Sequence, residues 1–212
     1  MKTKIRNFSR AWASKSRLPL AILGLIYLAV YSAQVILEKK ALAQPTLDVF
    51  AVTIWVIFAL DLLVRGLGAS SFASFVRLSW LEILALAIPF IRVLRVFRVL
   101  MALRGLKGFF GNRAQATGAY ILMLVPLAWY SGAIAVLDAE ATNPESTIKT
   151  VGQALWWSLA TITTVGYGDS YPTSFEGQAI AAVLMVTGIA LFSAGAGIFA
   201  SWILADKTTA KD

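Results

Sequence analysis

The chain has 212 residues, of which 58 % are hydrophobic and only 14 % are charged, and its net charge is +8. This balance indicates a protein with several membrane spans and excludes an ordinary soluble domain. Cysteine and histidine are both absent from the sequence, which excludes a disulfide framework, the commonest metal ligand and the usual catalytic base. The basic residues lie beside and within apolar segments, so they indicate membrane topology and not nucleic-acid binding.

The first half of the chain predicts a four-helix domain over residues 18–104. Residues 1–17 form a basic, polar lead that we expect to stay in the cytoplasm. Apolar runs at residues 18–37 and 47–64 are each long enough, as helices, to cross about 30 Å of hydrocarbon. Shorter helices are predicted at residues 72–89 and 90–104.

The third and fourth predicted helices are formed from too few residues for two full crossings of the bilayer. Residues 80–103 would give roughly 36 Å of helix for two crossings of the bilayer. Either the third helix is truncated and turns tightly near Pro89, or the Gly/Ser-rich link at residues 66–79 supplies further helix and brings Arg77 among the membrane charges. We favour the truncated arrangement.

Arginines recur at three-residue spacing in the fourth predicted helix and therefore lie along one stripe of its surface. The candidate gating charges are Arg92, Arg95, Arg98 and Arg104, and Met101 interrupts the series. An arginine inside a membrane helix is costly and usually functional. Acidic partners are available at Asp61 in the second helix and Glu82 in the third.

The second half predicts a linker at residues 105–117 and a domain with two crossings at residues 118–205. This domain comprises an outer helix at 118–137, a short helix at 151–163, a loop at 164–168 and an inner helix at 178–204, followed by a tail at 206–212. As a helix, the segment 151–163 covers only half of a bilayer. We therefore expect it to enter the membrane and return as an extended loop.

That loop, residues 164–168, reads Thr-Val-Gly-Tyr-Gly, and we call it the TVGYG loop. Glycines at alternate positions allow backbone angles that a Cβ would forbid, so that successive carbonyls can face the same way. Four such loops would form stacked rings of oxygens that replace the water around a K⁺ ion. The residues expected to bind K⁺ are Thr164, Val165, Gly166, Tyr167 and Gly168.

Residues 154–172, ALWWSLATITTVGYGDSYP, resemble the tetrameric potassium channels, and more narrowly the prokaryotic six-transmembrane channels of the voltage-gated type. The resemblance implies an all-α membrane protein with a four-helix voltage-sensor-like domain, then a two-helix pore domain with a re-entrant pore helix and a selectivity filter. It also implies a homotetramer that conducts K⁺ passively. It implies neither an enzyme activity nor a cofactor beyond the permeant ion.

The same resemblance assigns roles to individual side chains. It implies that Trp157 reaches Asp169 and that Trp156 packs on Tyr167, together forming a cuff that supports the filter. Some bacterial relatives have a glutamate where this chain has Ala160, so the filter lacks a second carboxylate bridge to Asp169. In the sensor, the family pattern implies that Phe58 seals the domain while Asp61 and Glu82 receive arginines in turn.

Three glycines mark the inner helix. Gly188 aligns with the hinge glycine of the family, and Gly195 and Gly197 fall where many animal channels have a Pro-Val-Pro gate. Glycine weakens a helix by removing side chains, whereas proline removes a donor. The alternative for Gly195 and Gly197 is close packing of helices through small residues.

The distribution of positive charge predicts a cell-membrane protein with both termini in the cytoplasm, because the expected outer segments hold only Lys39, Lys40 and Lys149. The leading hypothesis is a homotetrameric potassium channel modulated by voltage through Arg92, Arg95 and Arg98. One alternative is a potassium channel with a vestigial sensor, constitutive or gated by another stimulus. A remote alternative is a subunit of a potassium uptake transporter.

Overall fold

The structure is a computed structural model that describes residue 12 and residues 15–37, 44–69, 71–87 and 114–209. Across these residues the regular structure is entirely α-helical, as the lengths of the apolar runs and the family resemblance predicted. The chain divides into two compact units, residues 1–109 and 110–212. Three helical segments among the described residues are long and apolar enough to cross a membrane, namely Leu18–Leu37, Thr46–Leu67 and Phe175–Ser201.

The first unit contains three described helices that pack in chain order. They are α1 (Arg17–Leu37), α2 (Gln44–Leu67) and α3 (Phe72–Ala87). Helix α2 lies between the other two and contacts both. Tyr27 and Tyr31, one turn apart on α1, are fully buried and stack their rings at 6.3 Å. Ile54 and Phe58 complete the buried interior from α2.

Helix α3 starts at Phe72, the residue at which the third helix was predicted to begin. The Gly/Ser-rich link therefore supplies helix from residue 72 onward, as the alternative to the truncated arrangement held. A kink at Ser79 (φ −112°, ψ 16°) divides it into two parts. The chain turns back closely after α2 because a Cβ on Gly66 would lie only 3.1 Å from the ring of Phe75. The predicted tight turn at Pro89 and the fourth helix lie outside the described residues.

The second unit contains two long helices with a short helix between them in the chain. They are α4 (Ala114–Glu140), α5 (Val151–Ile162) and α6 (Phe175–Thr209). All three contact one another, and the buried interior is densest along α4, where Ala133 to Val136 are excluded from solvent. At about 18 Å, α5 has half the length of a membrane span.

The start of α5 is specified by its sequence. Thr150 is the N-cap, and its hydroxyl accepts a hydrogen bond from the backbone N–H of Gln153. The Gln153 side chain in turn accepts from the backbone N–H of Thr150 at 3.0 Å. This capping box satisfies two of the four amide donors that the first turn of a helix leaves free.

Candidate functional site

The TVGYG loop leaves α5 by folding back on the last turn of that helix. The backbone N–H groups of Val165 and Gly166 both donate to the carbonyl of Ala160, at 2.9 and 3.1 Å. Thr164 donates in the same way to Thr161 at 3.0 Å. The carbonyls that end a helix usually lack partners within it. Here the loop supplies those partners, so its position is set by the helix that precedes it.

The backbone of the TVGYG loop alternates in handedness. Thr164, Gly166 and Gly168 have φ angles of 61°, 58° and 78°, which is the left-handed region. Glycine adopts this conformation freely, whereas in Thr164 it costs about 1–2 kcal/mol because of the Cβ. The alternation allows successive carbonyls to face one side of the strand. The side chains of Val165 and Tyr167 are exposed in the single chain.

One tryptophan makes both of the contacts that the family resemblance divided between two. The indole N–H of Trp156 donates to Oδ2 of Asp169 at 2.7 Å. The ring of Trp156 also stacks on Tyr167, with centroids 5.2 Å apart and planes 12° apart. The prediction that Trp157 reaches Asp169 is therefore wrong, and the prediction that Trp156 packs on Tyr167 matches the structure.

Helix geometry explains the exchange of roles. Consecutive residues on a helix point about 100° apart, so Trp156 and Trp157 cannot face the same neighbour. Trp157 lies on the buried side of α5 with Ala154, Ser158 and Thr161, and only 5 % of it is exposed. Trp156 lies on the other side, where 46 % of it is exposed and the TVGYG loop passes.

A buried glutamate that the sequence analysis missed anchors the chain beyond the TVGYG loop. Glu140, the last residue of α4, is only 1 % exposed. Its Oε1 accepts from the backbone N–H of Thr173 (3.0 Å), the backbone N–H of Ser174 (2.9 Å) and the Ser174 hydroxyl (2.6 Å). Its Oε2 accepts from the Thr173 hydroxyl at 3.1 Å. We call Glu140, Thr173 and Ser174 the Glu140 cluster.

The hydrogen bonds of this cluster decide the charge of Glu140. Burial by itself raises the pKa of the carboxyl, but the bonds from the hydroxyl and amide of Ser174 outweigh it, with smaller contributions from Ser146 and Thr173. The net effect holds the pKa of Glu140 below its ordinary value of about 4.5. The carboxylate also lies just before the first turn of α6, where the helix dipole favours negative charge.

Gly177 allows the Glu140 side chain to lie against the first turn of α6. A Cβ at position 177 would collide with Oε1 of Glu140 and would lie 2.8 Å from Cβ of Pro172. Two further side chains of the α4–α5 connection reinforce the contact. The hydroxyl of Thr147 bonds both the carbonyl and the N–H of Tyr171 at 3.1 Å, and Asn143 donates to the Thr173 hydroxyl at 2.6 Å.

Two signals in the sequence pointed toward this region without revealing the contact. Ser174 is followed three residues later by Gly177, whose N–H donates to the Ser174 hydroxyl at 3.0 Å, so Ser174 caps α6 as its residue type predicts. Glu140 is an acid at the end of an apolar helix. No local pattern joins two positions that are more than thirty residues apart in the chain.

The three glycines of the inner helix have different surroundings. Gly188 is buried, and a Cβ there would lie 2.5 Å from the carbonyl oxygen of Ile162, the last residue of α5. This glycine therefore allows α6 to approach the base of the TVGYG loop. Gly195 and Gly197 have open space around them within the chain, and α6 is helical through both.

In the first unit, Asp61 and Glu82 lie together and share one arginine. Only 3 % of Asp61 and 4 % of Glu82 are exposed. Arg65 donates through Nε to Oδ2 of Asp61 at 2.8 Å, and through a terminal nitrogen to Oε2 of Glu82 at 2.5 Å. We call these three residues the Asp61 cluster. Phe58, one turn before Asp61, is buried.

Arg65 was not predicted as the partner of the two acids, although its spacing of four residues from Asp61 is favourable for an ion pair on a helix. The arginines predicted for this role lie outside the described residues. They are Arg92, Arg95, Arg98 and Arg104.

Residues 119–205 match a protein-family model described as "Ion channel". A voltage-gated potassium channel of Aeropyrum pernix is 48 % identical over 58 residues, which are 27 % of this chain and 20 % of that protein. A cyclic nucleotide-gated potassium channel of Mesorhizobium japonicum is 38 % identical over 81 residues, 38 % of this chain and 21 % of the relative. The rat potassium voltage-gated channel subfamily KQT member 3 is 40 % identical over 65 residues, 31 % of this chain. The chain thus matches a fifth or less of the length of most of these relatives.

Proposed function

Because residues 119–205 match a family model described as "Ion channel" and the similar proteins are named as potassium channels, we propose that four copies of this chain assemble into a potassium-selective membrane channel. Each copy contributes one TVGYG loop to a common filter. The observation that carries the proposal is the alternation of positive φ at Thr164, Gly166 and Gly168. A strand of this kind can present a column of carbonyl oxygens, and four strands can replace the hydration shell of K⁺.

Two further features of the second unit support conduction of a cation. Helix α5 ends at Ile162, directly before the loop, and the C-terminal end of a helix carries a partial negative charge that favours cations. The carbonyl of Ala160 accepts two hydrogen bonds from the TVGYG loop, so the loop begins at a fixed place.

Both termini of the chain are expected in the cytoplasm, as the basic lead and the tail suggest.

The support of the filter is assigned to Trp156 and Asp169, whose hydrogen bond spans the base and the outer end of the loop. Stacking of Trp156 on Tyr167 opposes inward collapse of the strand. Gly188 belongs to this support because it admits α6 against α5. Gly195 and Gly197, on the part of α6 with open surroundings, are the candidates for a hinge or gate.

Ion flux into liposomes tests the filter. The purified protein should pass K⁺ and Rb⁺ but scarcely Na⁺, because the carbonyls of the filter replace the hydration shells of K⁺ and Rb⁺ better than that of Na⁺. Gly168→Ala should abolish selective flux, since a side chain at φ 78° costs about 1–2 kcal/mol at each of four copies. Gly152→Ala, on the same helix-loop segment but in open space, is the matched control. Equal flux of Na⁺ in the unaltered protein would refute the filter assignment.

Voltage modulation is the second part of the proposal. Each elementary charge that crosses the membrane field is worth about 2.3 kcal/mol per 100 mV, so three arginines in each of four copies suffice to bias a gate. In planar bilayers, Arg95→Gln and Arg98→Gln should each make the open probability less steep in voltage. Arg113→Gln, in the linker, serves as the control. An open probability that is flat with voltage in the unaltered channel would exclude a working sensor.

The pairing of Arg65 with both Asp61 and Glu82 favours a second candidate function. If these acids never exchange Arg65 for an arginine of the predicted fourth helix, the domain resembles a voltage sensor but does not move. The channel would then be constitutive or would respond to another stimulus. The bilayer recordings distinguish the two, because only a working sensor makes the open probability depend on voltage.

A further inference from the structure

The chain between the TVGYG loop and α6 is held at alternate residues by side chains that precede the loop. We call residues 169–174 the exit segment, and this part of the described chain is neither helix nor strand. Three hydrogen-bonded pairs hold it, namely Trp156 with Asp169, Thr147 with Tyr171, and Glu140 with Thr173. A spacing of two is that of an extended chain, in which alternate residues face the same side.

Thr147 binds Tyr171 as a neighbouring β-strand would. In an antiparallel sheet, the N–H and C=O of one residue face the same neighbour, and both bond to it. The N–H of Tyr171 donates to the Thr147 hydroxyl at 3.1 Å, and that hydroxyl donates to the C=O of Tyr171 at 3.1 Å. A hydroxyl can do both because it has one donor and two acceptor lone pairs. One side chain thus fixes both polar backbone groups of Tyr171.

The α4–α5 connection holds Thr147 firmly because both neighbours of Thr147 are buried. Ser146 is 4 % exposed and Ile148 is fully inaccessible to solvent. The hydroxyl of Ser146 accepts from the backbone N–H of Ile148 at 3.0 Å, which closes a tight turn around Thr147. Thr150, a little further along the chain, is the N-cap of α5. The hydroxyl that holds the exit segment is therefore tied to the helix from which the TVGYG loop departs.

The other two anchors of the exit segment do not replace this contact. Trp156 holds Asp169 through its side chain, whose rotatable bonds let the backbone move. The Glu140 cluster begins at Thr173, further from the loop. Among the hydrogen bonds of the described residues, those of Thr147 hold the exit-segment backbone closest to the TVGYG loop.

We propose that Thr147 is a positioning residue of the K⁺ filter, whose hydroxyl keeps the outer end of the TVGYG loop in the conformation that binds K⁺. This inference rests on the proposed filter. The start of the loop is fixed by the carbonyl of Ala160, and Thr147 fixes the chain beyond its end. A chain released at Tyr171 has more conformations, of which few present the column of carbonyls. A smaller fraction of the channels is then competent to bind K⁺, and the apparent affinity falls by that fraction.

Titration calorimetry of KCl into the purified protein in detergent, with NaCl as the background salt, tests the inference. Thr147→Val keeps the shape of the side chain and removes the hydroxyl. The apparent dissociation constant for K⁺ should rise by about tenfold, because each copy loses both bonds to Tyr171. Thr147→Ser keeps the hydroxyl and should bind K⁺ as the unaltered protein does. Thr142→Val, at an exposed threonine of the same connection, is the matched control.

The same variants separate positioning from a merely structural role. A lower unfolding midpoint for Thr147→Val, with an unchanged dissociation constant for K⁺, would overturn the inference. Equal weakening of K⁺ binding by Thr147→Ser and Thr147→Val would assign the effect to packing and overturn the role of the hydroxyl. Thr147→Ala, which removes the hydroxyl with less bulk, takes the place of Thr147→Val if that variant does not fold.

The outcomes also separate this inference from the proposed filter. Liposome flux that selects K⁺ over Na⁺, together with unaltered K⁺ binding in Thr147→Val, would overturn the positioning role alone. An unaltered protein that neither binds K⁺ against Na⁺ nor selects it in flux would overturn the filter and the positioning role together.

Discussion

The Asp61 cluster and the Glu140 cluster both bury carboxylates, but they stabilise them differently. In the Asp61 cluster, two acids share the guanidinium of Arg65. In the Glu140 cluster, one acid accepts four hydrogen bonds from neutral backbone and hydroxyl groups of Thr173 and Ser174. All three carboxylates, Asp61, Glu82 and Glu140, are almost wholly inaccessible to solvent. The first arrangement balances charge, and the second fixes geometry.

The two ways of stabilising a buried carboxylate suit different roles. An ion pair survives the exchange of one cation for another, because attraction between charges depends weakly on direction. Four directed hydrogen bonds have no equivalent replacement, and losing one leaves a buried group without a partner. The Asp61 cluster is thus suited to changing partners, as the proposed voltage sensing would require. The Glu140 cluster is suited to holding the chain beyond the TVGYG loop in one place.

Removal of Arg65 should give the largest effect. Arg65→Met removes the guanidinium that Asp61 and Glu82 share, which we expect to cost about 3 kcal/mol of unfolding free energy, because breaking a buried ion pair from one side is strongly destabilising. The measurement is unfolding in mixed micelles. Arg77→Met, at an exposed arginine of the same unit, should have little effect. If Arg65→Met lost no more unfolding free energy than Arg77→Met, the ion pairs of the Asp61 cluster would make no specific contribution to stability.

Changes at Glu140 should have a smaller effect with a distinctive dependence on pH. Glu140→Gln keeps the size of the side chain but removes its charge, and we expect a cost of about 1.5–3 kcal/mol at neutral pH. The lowered pKa means that the folded state binds the proton less tightly than the unfolded chain. The stabilisation is therefore complete well above about pH 4.5 and is lost as the pH falls through the lowered pKa.

This prediction is checked by measuring the unfolding free energy of the unaltered protein and of Glu140→Gln at each pH. The difference in stability between the unaltered protein and Glu140→Gln should be constant at neutral pH and should shrink on acidification below about pH 4.5. Glu145→Gln, in the exposed part of the α4–α5 connection, should show no such convergence. A difference that grew as the pH fell would contradict the assignment of a lowered pKa.

The parts of the site that follow from local sequence could be predicted. The TVGYG loop, its glycines and the short helix before it follow from composition and spacing, since each depends on residues close in the chain. The pair of acids Asp61 and Glu82 was also identified, because charges in apolar helices are rare. The assignment within the Trp156–Trp157 pair was wrong, because it depends on which side of α5 faces the loop.

The amino-acid sequence by itself determined that this is a helical membrane protein with a TVGYG loop after a half-length helix, because periodicity, run length and short motifs are local properties. Only the tertiary structure decided that Arg65 joins Asp61 to Glu82, that Trp12 reaches Asp61, and that Glu140 holds residues 173 and 174. These contacts join positions far apart in the chain. They depend on how helices rotate and approach one another, and no local pattern carries that information.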